Sequence, residues 1–151
     1  MYRRILLAYD GSREGQAALR QGAELGLLCR AAMHLLAVVD LPAGVILAEA
    51  AAPSDHPESE RSHLQGLLDE GARRLREKGL TATTSVAFGT PAAEISRVAR
   101  EIGADLIVIG HREHNALVRW LRGSTGAAIL NLAPCSILVA KPRDEAAGPA
   151  G

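Results

Sequence analysis

RRILLAYDGS, residues 3–12, carries an unbroken apolar run from Ile5 to Tyr9 that stops at an Asp-Gly turn signal. A strand that is apolar at every position has no face to give to water. Both faces must be covered, which is the situation of a parallel sheet in an α/β domain. Beyond the turn, Ser12 is a good helix N-cap, and Ala18, Gly22, Leu25 and Cys29 recur at helical spacing to mark one buried face. Gly22 and Gly26 each cost roughly 1 kcal/mol in a helix relative to alanine, so their use is close packing of helix on sheet.

The same alternation repeats along the chain. MHLLAVVD, residues 33–40, is a second apolar strand ending at Asp40. The segment from Leu41 to about Pro57 exceeds the ~2–6 residues usual in such connections, and its apolar AGVILAEAAA argues against simple disorder. Glu58 to Lys78 reads as a helix with Leu64, Leu68, Gly71 and Leu75 on one face, ended by Gly79. TATTSVAF, residues 81–88, is more polar and alternates, as an edge strand does. Thr90 then caps a helix with Pro91 in its first position and a stripe of Ile95, Val98, Ala99 and Ile102. DLIVIG (105–110) is a buried fourth strand, GSTGAAILNLA (123–133) a last helix and CSILVA (135–140) a fifth strand. The result is one open parallel α/β sheet of five strands joined by right-handed crossovers, with helices on both faces.

Composition sets the outer bounds. At 151 residues and 15.9 kDa the chain fits one compact domain. We place it at residues 1–142, with 143–151 a small-residue, mobile tail. Seventeen basic residues balance 17 acidic ones, which gives no footing for a nucleic-acid partner. Cys29 and Cys135 form neither a disulfide framework nor a thiolate metal pattern. The opening apolar run meets Asp10 too soon for a secretory h-region, and Arg30, His34, Asp40 and Glu49 interrupt the only stretch approaching membrane-helix length. A cytoplasmic protein with no membrane association is the expectation.

In an open sheet of this kind a ligand sits beyond the carboxyl ends of the strands, where strand order reverses. The most buried strands, the first and fourth, flank that point. The crevice is therefore built from Asp10 to Ser12 on one side and from the residues after Ile109 on the other. Gly110 lets backbone approach a ligand with no side chain in the way. Gly123, Ser124 and Thr125, opening a helix, offer free amides, two hydroxyls and a positive dipole end to an anion. Neither a Walker P-loop nor a GxGxxG turn is present.

With ILLAYDGS, AVVD, GTPAAEI, ADLIVIG and LNLAPCSILVAKP in hand, the chain resembles the universal stress protein (UspA-like) family over essentially its whole length. The resemblance implies an adenine nucleotide alpha hydrolase-like fold with strand order 3-2-1-4-5. It also implies a regulatory adenine nucleotide, ATP with Mg²⁺ as the type, and a homodimer through the last strand, Ser136 to Lys141. Residue by residue, Asp10 matches the acidic position near ribose or metal, Val38 the position whose backbone meets adenine, and Ala8 a neighbour of the base. Gly110, Gly123, Ser124 and Thr125 match the positions that wrap the phosphates, with His111 and Arg112 beside them. Nucleotide-binding relatives place a second glycine where this chain has Glu113.

Glu113 sets two readings against each other. A carboxylate ~6 Å from a phosphate oxygen, at an effective dielectric of ~20, is repelled by ~3 kcal/mol per charge, a more than hundredfold loss of affinity. Arg112, Arg119 and Arg122 oppose that penalty, since a guanidinium binds phosphate in a bidentate fork, and His111 and His114 add charge at lower pH. The alternative is a dimeric stress or interaction protein that works without nucleotide. No metal ligands or catalytic residues are assigned, because His111 and His114 lack companion ligands and no G-x-S-x-G elbow accompanies Ser12 or Ser124. Any enzymatic turnover is at most slow ATP hydrolysis. Trp120 reads as a packing residue.

Overall fold

The computed structural model describes residues 1–40, 56–111 and 131–143. Its elements are β1 (Arg4–Ala8), α1 (Arg13–Cys29), β2 (Ala32–Asp40), α2 (His56–Glu77), β3 (Ala82–Gly89), α3 (Pro91–Ile102), β4 (Leu106–Gly110) and β5 (Ser136–Ala140). The expectations for residues 41–55, for the last helix over 123–130 and for the tail over 144–151 lie outside the described residues.

All five strands run parallel in the order β3-β2-β1-β4-β5. β1 lies at the centre because it is apolar on both faces. Ile5 and Leu7 point into one layer with Met33, Leu35 and Val108, beneath Ala18, Leu19 and Ala23 of α1 and Leu68, Ala72 and Leu75 of α2. Leu6 points the other way with Leu36, Ile107 and Ile109, against Ile95, Val98 and Ala99 of α3. Ile5, Leu6 and Leu7 are each 0% exposed, and full burial of such side chains contributes about 1.5–3 kcal/mol apiece.

The entry to the sheet is pinned by Asp105, just before β4. Its carboxylate accepts the Arg3 N–H at 2.8 Å and the Arg4 N–H at 3.1 Å, while its own N–H donates to the Arg4 carbonyl at 3.0 Å. The Arg4 guanidinium in turn donates to the Ile102 carbonyl at the end of α3, at 2.7 Å.

Helix ends follow local chemistry only in part. Ser12 caps α1 as expected, its hydroxyl accepting the Gly15 N–H at 3.0 Å. Thr90 occupies the N-cap position of α3, but its side chain makes no capping bond. That helix starts on Pro91, whose fixed φ suits the first position, and on the Glu94 N–H reaching the Thr90 carbonyl at 3.0 Å. α1 ends on Arg30 in the left-handed region, φ 55°, a place usually taken by glycine.

Small residues bring α1 down onto the sheet, as the sequence suggested, although Leu25 and Cys29 are only half-buried and the covered stripe runs through Gly15, Ala18, Gly22, Ala23 and Gly26. A Cβ on Gly22 would stand 2.7 Å from Leu7 Cδ1. The tightest approach is at the end of β4, where a Cβ on Gly110 would stand 2.5 Å from the Glu14 carbonyl oxygen and 2.7 Å from its carbonyl carbon. Those are backbone atoms of the first turn of α1, which no rotamer change can move aside.

β3 is the polar edge strand expected. On its α3-facing side the His34 ring bridges two hydroxyls, with Nδ1 2.7 Å from Thr83 Oγ1 and Nε2 2.8 Å from Ser85 Oγ, and so ties β2 to β3. Burial holds the His34 pKa below the ordinary histidine value.

Two outcomes follow from this packing. Gly110→Ala is expected to destabilise the fold by at least ~1–3 kcal/mol in urea titration, the usual range for overpacking. Gly66→Ala, on exposed α2 with nothing within 4 Å of the new methyl, should instead stabilise it by up to about 1 kcal/mol. Equal responses at the two sites would refute the packing account. Separately, the unfolded chain takes up a proton at His34 before the folded chain does, so His34 should cost stability as pH falls through about 6.5. Thermal melts of His34→Gln between pH 7.5 and 5.5 should show a shallower loss than the wild-type protein.

Candidate functional site

β1 leaves the sheet before its neighbour does. Its last bond to β2 runs from the Tyr9 N–H to the Leu36 carbonyl, 2.9 Å, whereas β2 continues to Asp40, still paired with β3 through Gly89. Alternation along a strand directs the main-chain N–H and C=O of Val38 to the same side as those of Leu36, which is the side β1 has vacated. Val38 and Ala8 are both half-buried and share the α3-facing layer, so two small apolar side chains line this end of the sheet.

The turn that carries β1 away is built around Asp10. Its Oδ1 accepts the Ser12 N–H at 2.9 Å and the Ser12 hydroxyl at 2.5 Å. Gly11 sits at φ +77°, a conformation that favours glycine, and Leu67 of α2 lies 3.1 Å from where its Cβ would be. Gly15 matters for a different reason. A Cβ there would fall 2.6 Å from Asp10 Oδ1, so the missing side chain lets the carboxylate fold against the first turn of α1. Asp10 and Glu14 together offset the positive end of the α1 dipole.

Beneath the turn, Tyr9 is buried, and burial raises its pKa above the usual phenol value. Its hydroxyl accepts from Gln16 Nε2 at 2.7 Å, and Gln16 Oε1 accepts from Arg74 Nη1 at 3.0 Å.

The structure thus brings Ala8, Asp10, Val38, Gly110 and His111 to the carboxyl ends of β1, β2 and β4, the edge of the sheet from which the sequence built its crevice. Arg112, Gly123, Ser124 and Thr125 lie outside the described residues, as do Glu113, His114, Arg119, Trp120 and Arg122. Two of these residues also serve the packing. The α1 backbone that abuts Gly110 leaves no room for a side chain there. The His111 main-chain N–H is spent on the Ala140 carbonyl at 2.8 Å, extending the β4–β5 ladder, which leaves its side chain as the group to consider. Gly15, Gln16 and Leu67 escaped sequence reasoning, since a glycine, a glutamine and a leucine inside helices carry no signal of what they touch.

Comparison with known proteins supports the same frame. The universal stress protein family model matches residues 1–141. Universal stress protein YxiE of Bacillus subtilis is 30% identical over 149 residues, covering 93% of this chain and 100% of its own. Among solved structures, the hypothetical protein MJ0577 aligns at TM-score 0.75 with 22% identity, over 96% of this chain and 99% of its own. A universal stress protein in complex with cAMP aligns at TM-score 0.66 with 18% identity, over 94% of this chain and 98% of its own. That of Archaeoglobus fulgidus in complex with dAMP aligns at 0.63 with 19% identity, over 93% and 98%. A family match over residues 1–141 and a relative 30% identical across its whole length agree: this chain belongs to the universal stress protein family.

Proposed function

We propose that the protein is a regulatory adenine-nucleotide binder, with ATP and Mg²⁺ as the type ligand, acting in the cytoplasm as a homodimer. The observation that carries this reading is the early departure of β1. It leaves the N–H and C=O of Val38 directed at a place that no described strand occupies, beside Ala8 and close to Asp10. An adenine edge presents a donor next to an acceptor, which is what one extended residue can pair with. Two relatives of the same fold are known with cAMP and dAMP, which share that base. In this reading Asp10 meets ribose or metal, and Gly123, Ser124 and Thr125 supply amides and hydroxyls to the phosphates, aided by His111 and Arg112. The working domain is residues 1–142 and the remainder is a tail.

The fit to the ligand is chemical as well as topological. Val38 and Ala8 offer an apolar, half-buried shelf for a flat base, and the exposed Asp10 carboxylate is held in place by Ser12. The chain's own part is to bind and orient; no described residue is assigned a step in hydrolysis.

Dimerisation through β5 completes the proposal. Ile137, Leu138 and Val139 are only half-buried on a strand paired on one side, and an apolar edge of this kind invites a second copy.

Calorimetric titration with Mg-ATP should show binding at millimolar nucleotide or below, tightening ~10–100-fold in Glu113→Gly as the like charge is removed. No binding by either protein would favour the nucleotide-independent reading, which Glu113 supports. Sedimentation should give a species of twice 15.9 kDa, reduced to monomer by Val139→Lys, whose charge blunts the edge.

A further inference from the structure

We infer that Gln16 is a positioning residue that holds the Asp10 turn in place from α2. The β1–β2 ladder stops just short of the turn, at the bond from the Tyr9 N–H to the Leu36 carbonyl. Side chains add anchors of their own. Gln16 stands in the first turn and a half of α1, and its N–H donates to the Ser12 carbonyl at 2.8 Å. Its side-chain amide faces two ways at once, donating to the Tyr9 hydroxyl at 2.7 Å and accepting from Arg74 at 3.0 Å. Arg74 is itself oriented by Glu70, one turn earlier on α2, at 3.3 Å.

Tyr9 immediately precedes Asp10, and Ser12 immediately follows Gly11. The Gln16 side chain therefore ties the residue before the turn to a second helix, while its main-chain N–H holds the Ser12 carbonyl at the other end. α2 reinforces the link sterically, with Leu67 over Gly11 and Gly71 leaving room for the Tyr9 ring, 3.2 Å from where a Cβ would stand. The bond from Arg74 to Gln16 joins residues 58 positions apart, so the turn is held by a helix remote from it in the chain. The amide is suited to the task because it supplies a donor and an acceptor on one rigid plane. Any effect on ligand rests on the nucleotide reading above; the tether itself does not.

The test uses Gln16→Leu and Gln16→Glu in the full chain. Leucine, glutamate and glutamine have similar helix propensity, so α1 itself is left intact. Leucine removes both bonds, whereas glutamate keeps an acceptor for Arg74 and lets the Tyr9 hydroxyl reverse to become the donor. Amide exchange at Ser12 and Gly15, whose N–H groups are bonded within the turn, should accelerate on the order of tenfold in Gln16→Leu and return toward wild type in Gln16→Glu. Mg-ATP affinity should follow the same pattern, falling several-fold and recovering. Unchanged exchange at Ser12 and Gly15, or acceleration spread evenly over the whole chain, would overturn the inference. Local acceleration in a protein that binds no ATP would support the tether and sink the nucleotide reading instead. Where the wild-type protein binds, an unaltered affinity in a locally loosened Gln16→Leu would overturn the positioning role.

Discussion

The architecture depends on burying β1 from both sides. Ile5 and Leu7 require one layer of helices and Leu6 requires another, so a strand of five residues commits the chain to a three-layer sandwich. Every other element is arranged around that demand. α1 approaches through glycine and alanine because a bulkier face would hold it off the sheet, and β4 takes the remaining side of β1 because it too has no polar residue to expose. The polar strand β3 is left at the rim, where His34, Thr83 and Ser85 can satisfy one another.

The same strand creates the site by stopping. Once β1 turns off after Ala8, β2 runs on with no described strand on one side of its backbone, and other contacts restrain the departing chain. Asp10 and Ser12 close the turn on itself, Gly15 gives the carboxylate room, and Gln16 ties the assembly to α2. Packing and ligand chemistry are thus competing for the same few residues. Gly110 shows the outcome most plainly, because its lack of a side chain is fully accounted for by the backbone of Glu14.

Much of this was legible in the sequence because it rests on short-range pattern. Unbroken apolar runs marked β1, β2 and β4, alternation marked β3, and the Ser12 cap and Pro91 start fixed where two helices begin. What stayed illegible depends on partners distant along the chain. Nothing near Gly110 tells that Glu14 will press on it, and nothing near Gln16 announces Tyr9 and Arg74. Thr90 looks like a cap by residue type, yet the helix after it forms without its hydroxyl. Arg30 holds a left-handed position where glycine is the usual occupant, so the end of α1 carried no mark.

The bond between Asp105 and the amides of Arg3 and Arg4 has a consequence for biosynthesis. β1 is made first but acquires its second neighbour only after residue 105 has been translated and has cleared the ribosome, so the central strand waits with one edge open through most of elongation. During that interval α1 and β2, which follow at once, are the first partners available to β1, and the faces of α2 and α3 that cover it come later. The glycine seam that seats α1 so closely belongs to the first of these contacts that the growing chain can make.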